Sequence, residues 1–494
     1  MITKGKPMKR LTRRDFIGNF TAAAACISIG STSRAGAALK TLGANDDIRL
    51  AIVGLRKKGK EHIDLFGKIR GVRIVALCDV DTEFLDFEAR QSMDRNEKVT
   101  TYTDYRKLLD DKEIDAVVLA VPDHWHALMM VWACQAGKDV YVEKPASHNI
   151  WEGRKMVEAA EKYKRIVQVG SQDRSDVGLQ AAVEYIKQGS LGSIKLARAI
   201  SYFLRESIGK VNGPQPIPAS LDYNLFQGPA PLVPLMRKNL HYDWHWFWDT
   251  GTGEVGNLGA HNIDESRWAI GQQEIAPRAI SIGGRLALDD DGQTANTQIT
   301  FFDYKSVPMI YEVRGLQRRK DLRASDHYRG TSFGMVLQCE GGYFRGGRGG
   351  GWAYDNNHKR IKQFPGDGGG GHQNNFIEAM RSRKVSDLRA NMLEGHISAA
   401  LCHMANISYR LGRYEPVEKI KEIIAGNNIM EESFESCLVH LKANKVDLAS
   451  EPLAIGQYLT FDRTSEKFVG EFSDMANMYI RRNYREPFVV PEHV

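Results

Sequence analysis

From Ile48 to about residue 172, short apolar runs alternate with amphipathic stretches. "IRLAIVG", "VRIVALCDVD", "DAVVLAVP", "DVYVEKP" and "RIVQVG" read as strands. Their apolar residues are continuous, as in strands covered on both faces. "KEHIDLFGKI", "ALMMVWACQAG" and "WEGRKMVEAAEKY" fall between them with helical spacing. Strand and helix in alternation predict a doubly wound parallel sheet, the dinucleotide-binding Rossmann architecture.

Beyond residue 172 the texture changes. "SIKLARAIS" and "NTQITFFDYKSVPMIYEVRG" carry β-branched and aromatic runs with no helix between them. They predict a second α/β domain built on a large, mostly antiparallel open sheet. The glycine clusters "GGYFRGGRGGG" and "PGDGGGG" predict long loops between 340 and 372. Helices return in "NNFIEAMRSRK" and "NMLEGHISAALCHMANISYRLG". The expected organisation is an export signal (1–38), a linker (39–47), a nucleotide-binding domain (48–172), a substrate and oligomerisation domain (173–430) and a C-terminal extension (431–494).

Charge changes this picture in one place. The formal net charge is +6, but seven basic residues and one acid fall in the first 38; subtracting them leaves 60 of each sign. A neutral body carries no footprint for nucleic acid or an anionic membrane. The leader itself pairs Arg13 and Arg14 with Asp15 and Phe16, then an apolar run and small residues. That order makes an export signal rather than a membrane span, and the arginine pair points to twin-arginine export of a folded protein into the periplasm. Cys26 offers a weak lipoprotein cleavage site. The six cysteines show no C-x-x-C and no metal spacing, so buried thiols are expected. Histidine pairs at His124/His126 and His241/His245 lack a third convergent ligand, and no metal is assigned.

The chemistry gathers at strand ends. In "AIVGLRKKGKEH", Gly54 turns the chain after the first strand and Gly59 stands where the last glycine of G-x-G-x-x-G belongs. Arg56 replaces the middle glycine, which a negative φ permits. Gly54, Leu55, Arg56 and Gly59 are expected to cradle a pyrophosphate at a helix N-terminus, on a rim made basic by Lys57 and Lys58. Asp79 ends the second strand, 25 residues after Gly54, where a carboxylate meets the ribose 2′-hydroxyl and favours NAD over NADP. Arg56 blurs that preference, since it could also meet a 2′-phosphate. Three further strand ends carry polar groups: Pro122, His124 and His126 in "VPDHWHA"; Glu143 and Lys144 in "VYVEKPASHN"; Gln172 and Arg174 in "VGSQDR". In "NLHYDWHWFWDTG", alternation sets Trp244, Trp246 and Trp248 on one face if the segment is extended, a surface for a sugar ring or a plug under the next helix.

These segments, with "VPDHWHALMMVWACQAGKDVYVEKP" and "WDTGTGEVGNLGAHNIDESRW", resemble the Gfo/Idh/MocA oxidoreductases, from about Ile48 to the C-terminus. The leader, "HYDWHWFWDTG" and the terminal "YREPFVVP" are most similar to its exported branch. The resemblance implies a Rossmann domain, NAD(P), a subunit interface on the open sheet, and Lys144 and His261 as catalytic positions. The family's aspartate four residues before the histidine is replaced by Asn257, which shares a helical face with His261. Asn257 is expected to orient the ring, and Asp264 to restore the missing carboxylate in part.

The expected function is hydride transfer between a tightly held NAD and a hydroxyl-bearing carbon of a sugar, glycoside or polyol. Cofactor contacts are expected from Gly54, Leu55, Arg56, Gly59, Asp79, Pro122, His126, Glu143 and Lys144, and substrate contacts from Gln172, Arg174, Trp246, Asn257 and Asp264. Two alternatives stand beside it: a glycosidase that oxidises its sugar transiently, and a non-catalytic sugar-binding protein.

Overall fold

The computed structural model describes residues 47–494. The export signal, Arg13, Arg14 and Cys26 lie outside the described residues. The first sheet holds β1 (Ile48–Val53), β2 (Val72–Cys78), β3 (Thr100–Tyr102), β4 (Ala116–Leu119), β5 (Asp139–Val142) and β6 (Val167–Val169). Their order is β3-β2-β1-β4-β5-β6, every pair parallel. All four residues of β4 and of β5 are buried, because helices pack on both faces. Nothing in the local pattern marks β3: "TTY" is short, polar and exposed at the sheet edge.

The second sheet has twelve strands. Its centre is β7 (Ile194–Ser201), β8 (Arg278–Gly284), β9 (Thr297–Phe302), β10 (Met309–Arg314) and β11 (Phe333–Cys339). One flank adds β12 (Gly342–Gly347), β13 (Gly350–Asp355) and β14 (Arg360–Pro365); the other adds β15 (Arg413–Tyr414), β16 (Ala454–Ile455), β17 (Leu459–Asp462) and β18 (Lys467–Val469). Every pair is antiparallel except β7 with β10. The long loop expected from "GGYFRGGRGGG" is instead the β12–β13 hairpin. Those glycines serve close backbone approach: a Cβ on Gly346 would sit 2.3 Å from the Gly350 carbonyl oxygen.

Helices Gly259–Ala269 and Met392–Arg410 cover one face of this sheet. On the other face, helices Val417–Ile424 and Asn428–Ala443 bury Ile420, Met430 and Phe434 against Ile282, Phe301 and Ile310. The sheet is open in topology, but the chain's own helices occupy part of the face expected to hold a subunit interface. The boundary expected at 430/431 falls inside helix Asn428–Ala443, and β16 and β17 beyond it pair with β8. The nucleotide-binding domain is likewise finished from outside 48–172. Phe376 and Ile377 of helix His372–Ser382 pack with Leu50, Val118 and Tyr141, and Phe488, Val490 and Val494 close the opposite face against the cluster of Val117 and Trp125.

Candidate active site

The carboxyl ends of β1, β2, β4 and β5 open into one cavity of about 550 Å³, the usual place for a ligand of such a sheet and an ordinary size for one. Gly54, at φ +80°, turns the chain into it; a Cβ there would lie 2.6 Å from the Ala120 carbonyl oxygen. At Gly59 a Cβ would fall 1.7 Å from the Gly54 oxygen, so only glycine lets helix Lys57–Phe66 start against the turn. Arg56 caps that helix at φ −80°. No side chain caps the helix and no acid lies in its first turn, so its free N–H groups are left available to an anion. These residues fit a dinucleotide pyrophosphate.

Asp79 accepts from the Leu55 N–H at 2.8 Å and from the Asp81 N–H at 2.9 Å, tying the loop to the end of β2 while still lining the cavity. Burial pushes its carboxyl up, and the two amides oppose that. The Arg56 side chain turns toward the end of β2. Its guanidinium donates to Asp81 at 3.0 Å and lies 3.3 Å from the Phe84 ring centre, because a buried carboxylate and a flat ring outcompete water for it.

Lys144 and Glu143 follow β5. The Lys144 ammonium donates to the Asn257 carbonyl at 2.7 Å and to its side-chain oxygen at 3.2 Å. Burial lowers it below the usual lysine value, while Glu143 and Asp123 pull the other way. Glu143 accepts from His62 at 2.8 Å; burial would raise its carboxyl, but His62 and Lys58 hold it well below the usual range. Asn257 therefore addresses Lys144 and not, as expected, the histidine.

His261 lines the same cavity from the second domain. Its Nδ1 lies 3.0 Å from Asp173, on the short helix Gln172–Ser175 after β6. Burial would raise the Asp173 carboxyl; His261 is the largest of the groups that hold it low instead. Behind it Glu265 is fully buried, and burial together with the Asp173 charge pushes its carboxyl well up. Arg348 approaches Asp173 from the other side, at 3.7 Å. Asp123 is a second carboxyl the sequence reading passed over. It lines the cavity beside Pro122, accepts from Thr252 at 2.7 Å, and burial pushes it up to about 7.

Gly54, Leu55, Arg56, Asp79, Pro122, Glu143, Lys144, Gln172, Asn257 and His261 thus line one cavity, and Gly59 shapes it from behind. Besides Gly59, four expected site residues lie outside the lining. His126 is buried with both ring nitrogens on carbonyl oxygens, Pro145 at 2.7 Å and Val121 at 2.9 Å; it braces the loop after β5. Arg174 and Asp264 form a buried pair at 2.7 and 2.9 Å, extended by Glu394 and Arg267. Their charges are spent on each other, and Asp264 restores nothing to His261. Trp246 ends the short helix Asp243–Trp246, so the tryptophans do not alternate; Trp244 lines the cavity and Trp246 does not. Among the described residues no group of three His, Cys, Asp or Glu could hold a metal ion, and no helix is long and apolar enough to cross a membrane.

Residues 48–171 match the family model described as "Oxidoreductase family, NAD-binding Rossmann fold", and residues 202–440 match "Oxidoreductase family, C-terminal alpha/beta domain". The chain belongs to the Gfo/Idh/MocA oxidoreductase family. Its first domain is an NAD-binding Rossmann domain. Among family relatives, inositol 2-dehydrogenase of Salmonella typhimurium strain LT2 is 30% identical over 148 residues, 29% of this chain and 43% of that protein. Glycosyl hydrolase family 109 protein 1 of Shewanella sp. strain MR-4 is 30% identical over 120 residues, 23% and 26% of the two chains. The matched stretch spans less than half the length of either relative. The solved structure of the WlbA dehydrogenase from Bordetella pertussis in complex with NADH and UDP-GlcNAcA superposes with a TM-score of 0.55 at 19% identity, over 74% of this chain and 96% of that one. That likeness is one of fold.

Proposed function

We propose that this Gfo/Idh/MocA chain is an exported, NAD-dependent oxidoreductase that moves hydride to and from a hydroxyl-bearing carbon of a sugar, glycoside or polyol. One observation carries the reading: Lys144 from the nucleotide domain and His261 from the second domain open on the cavity that the Gly54–Lys58 loop begins. The nicotinamide of the bound cofactor supplies the hydride acceptor. The protein's share is the proton and the alkoxide. His261 keeps Nδ1 toward Asp173, which leaves Nε2 to take the hydroxyl proton. The Lys144 ammonium, held by both oxygens of Asn257, stabilises the oxygen as charge develops on it. Asp79 and Asp81 at the ribose end favour NAD over NADP, with Arg56 already paired to Asp81.

The likeness to proteins named as family 109 glycosyl hydrolases supports a second reading, in which the same hydride step is transient and returned each turnover. One experiment tests both. Protein folded in the cytoplasm is denatured and its nucleotide identified by mass; intact protein is then offered free sugars and aryl glycosides. NADH accumulating with a free sugar supports the dehydrogenase. Aglycone release without net NADH supports the glycosidase. Absence of bound nucleotide, and of binding by added NAD, sinks both.

Export through the twin-arginine route to the periplasm belongs to the same proposal, and it suits a protein that acquires its cofactor before leaving the cytoplasm. So does a homo-oligomer, assembled through the β11–β14 half of the large sheet, where Ile361 is half exposed and helices 417–443 do not reach. Light scattering of the purified protein tests it; a monomer at all concentrations refutes it.

A further inference from the structure

The cavity continues past the end of β2. Beyond Cys78 and Asp79 it runs to Tyr105 and Arg106, after β3, and to Trp125, Met129 and Trp132 on helix Asp123–Gln135. In a doubly wound sheet of this order the two halves of a dinucleotide lie on either side of the switch between β1 and β4, and the carboxylate after β2 marks the adenosine half. This end is largely apolar and aromatic, with the Arg106–Asp104 ion pair at its rim: a surface that suits a purine.

The chain's own C-terminus supplies its last wall. Phe488 lines the cavity, is 2% exposed, and meets Trp125 edge to face at 5.4 Å between ring centres. Arg106 lies 5.6 Å from the same ring. The tail is fastened on both sides of Phe488. Upstream, Arg485 donates to the Gly228 carbonyl at 3.1 Å and to both oxygens of Asn224, at 2.7 and 2.8 Å. Downstream, Val490 and Val494 are buried in the Rossmann core. Asn224 belongs to a segment that itself clasps Trp125, whose indole N–H donates to the Leu225 and Phe226 carbonyls at 3.0 Å. None of this tail falls within residues 48–171 or 202–440, the stretches that carry the family's two domains.

We propose that the terminal segment Arg485–Val494 is part of the cofactor site, closing the adenine end of the cavity with Phe488 as the wall that the purine meets. The proposal rests on reading the cavity as an NAD site. It gives the terminal "REPF" a task that the two catalytic positions leave unassigned. It also makes cofactor affinity depend on residues 485–494, more than 300 positions beyond the last strand of the nucleotide-binding sheet.

The test uses full-length Phe488→Ala and Phe488→Leu protein, stripped of nucleotide, with calorimetric binding of NAD, AMP and nicotinamide mononucleotide. Loss of one aromatic face weakens a base by about tenfold or more. Phe488→Ala should therefore weaken NAD and AMP by about that factor and leave the mononucleotide unchanged. Phe488→Leu keeps the apolar bulk, so it decides the matter if the alanine variant fails to fold; AMP should still weaken severalfold. Unchanged AMP binding in a folded variant overturns the proposal alone, and equal weakening of all three ligands does the same, because it marks a general loosening. Wild-type protein that binds neither NAD nor AMP overturns the cofactor reading and this proposal together.

Discussion

Replacing Asp173 by Asn keeps the side chain's shape and removes its charge from 3.0 Å beside His261 Nδ1. At an effective dielectric constant of about 20, an opposite charge at that distance contributes roughly 5 kcal/mol before solvent screening, and the nearby Arg348 offsets part of it. The carboxylate's task is to keep the Nδ1 edge of the ring toward itself, so that Nε2 is free to take the hydroxyl proton. Turnover on the plateau should fall by about 10²–10⁴-fold, because Asn can donate to Nδ1 and place the proton on the wrong nitrogen. Turnover within threefold of wild type in a folded Asp173→Asn protein would refute the dyad.

Lys144→Ala should cost at least about two orders of magnitude in turnover with the fold intact; near-normal rates would reduce the lysine to a cofactor contact. Asn257→Asp should leave the acidic limb of the kcat/KM profile where it is and move the basic limb to higher pH, since the new carboxylate lies against Lys144 and favours its ammonium; movement of the acidic limb instead would restore the link to His261. Gly59→Ala should abolish nucleotide binding and lower the melting temperature, because its methyl group must displace the Gly54 carbonyl; calorimetry and thermal unfolding read both effects. Changing Arg13 and Arg14 together to Lys should strand folded protein in the cytoplasm, and unchanged periplasmic recovery would mean another route.

What the sequence made legible followed from local pattern. Apolar strands with polar ends located Gly54, Asp79, Lys144 and Gln172, because period and turn chemistry are local properties. The hairpin Gly342–Asp355 was hidden, since the glycines that permit close strands look like loop glycines. Trp246 lies off the cavity because alternation presumes an extended chain, and the segment turns into a short helix. Arg174 and Asp264 were plausible ligands until their partners came into view; a buried pair ninety positions apart leaves no local mark. For the same reason Asp173 was missed, although its neighbours Gln172 and Arg174 were both named. Asn257 meets a different partner from the one expected, because Lys144 reaches it from the other domain.

The order of synthesis follows from how the nucleotide domain is finished. Its six strands are complete when Val169 has been made, yet one face of the core needs Phe376 and the other needs Phe488 and Val494. At about 5–20 residues per second, the remaining chain takes roughly 15–65 seconds to emerge. Throughout that interval the nascent sheet has uncovered apolar faces and no finished site. A chain cut short of Phe376 or of Phe488 therefore leaves one apolar face of the first sheet bare, however complete its six strands are.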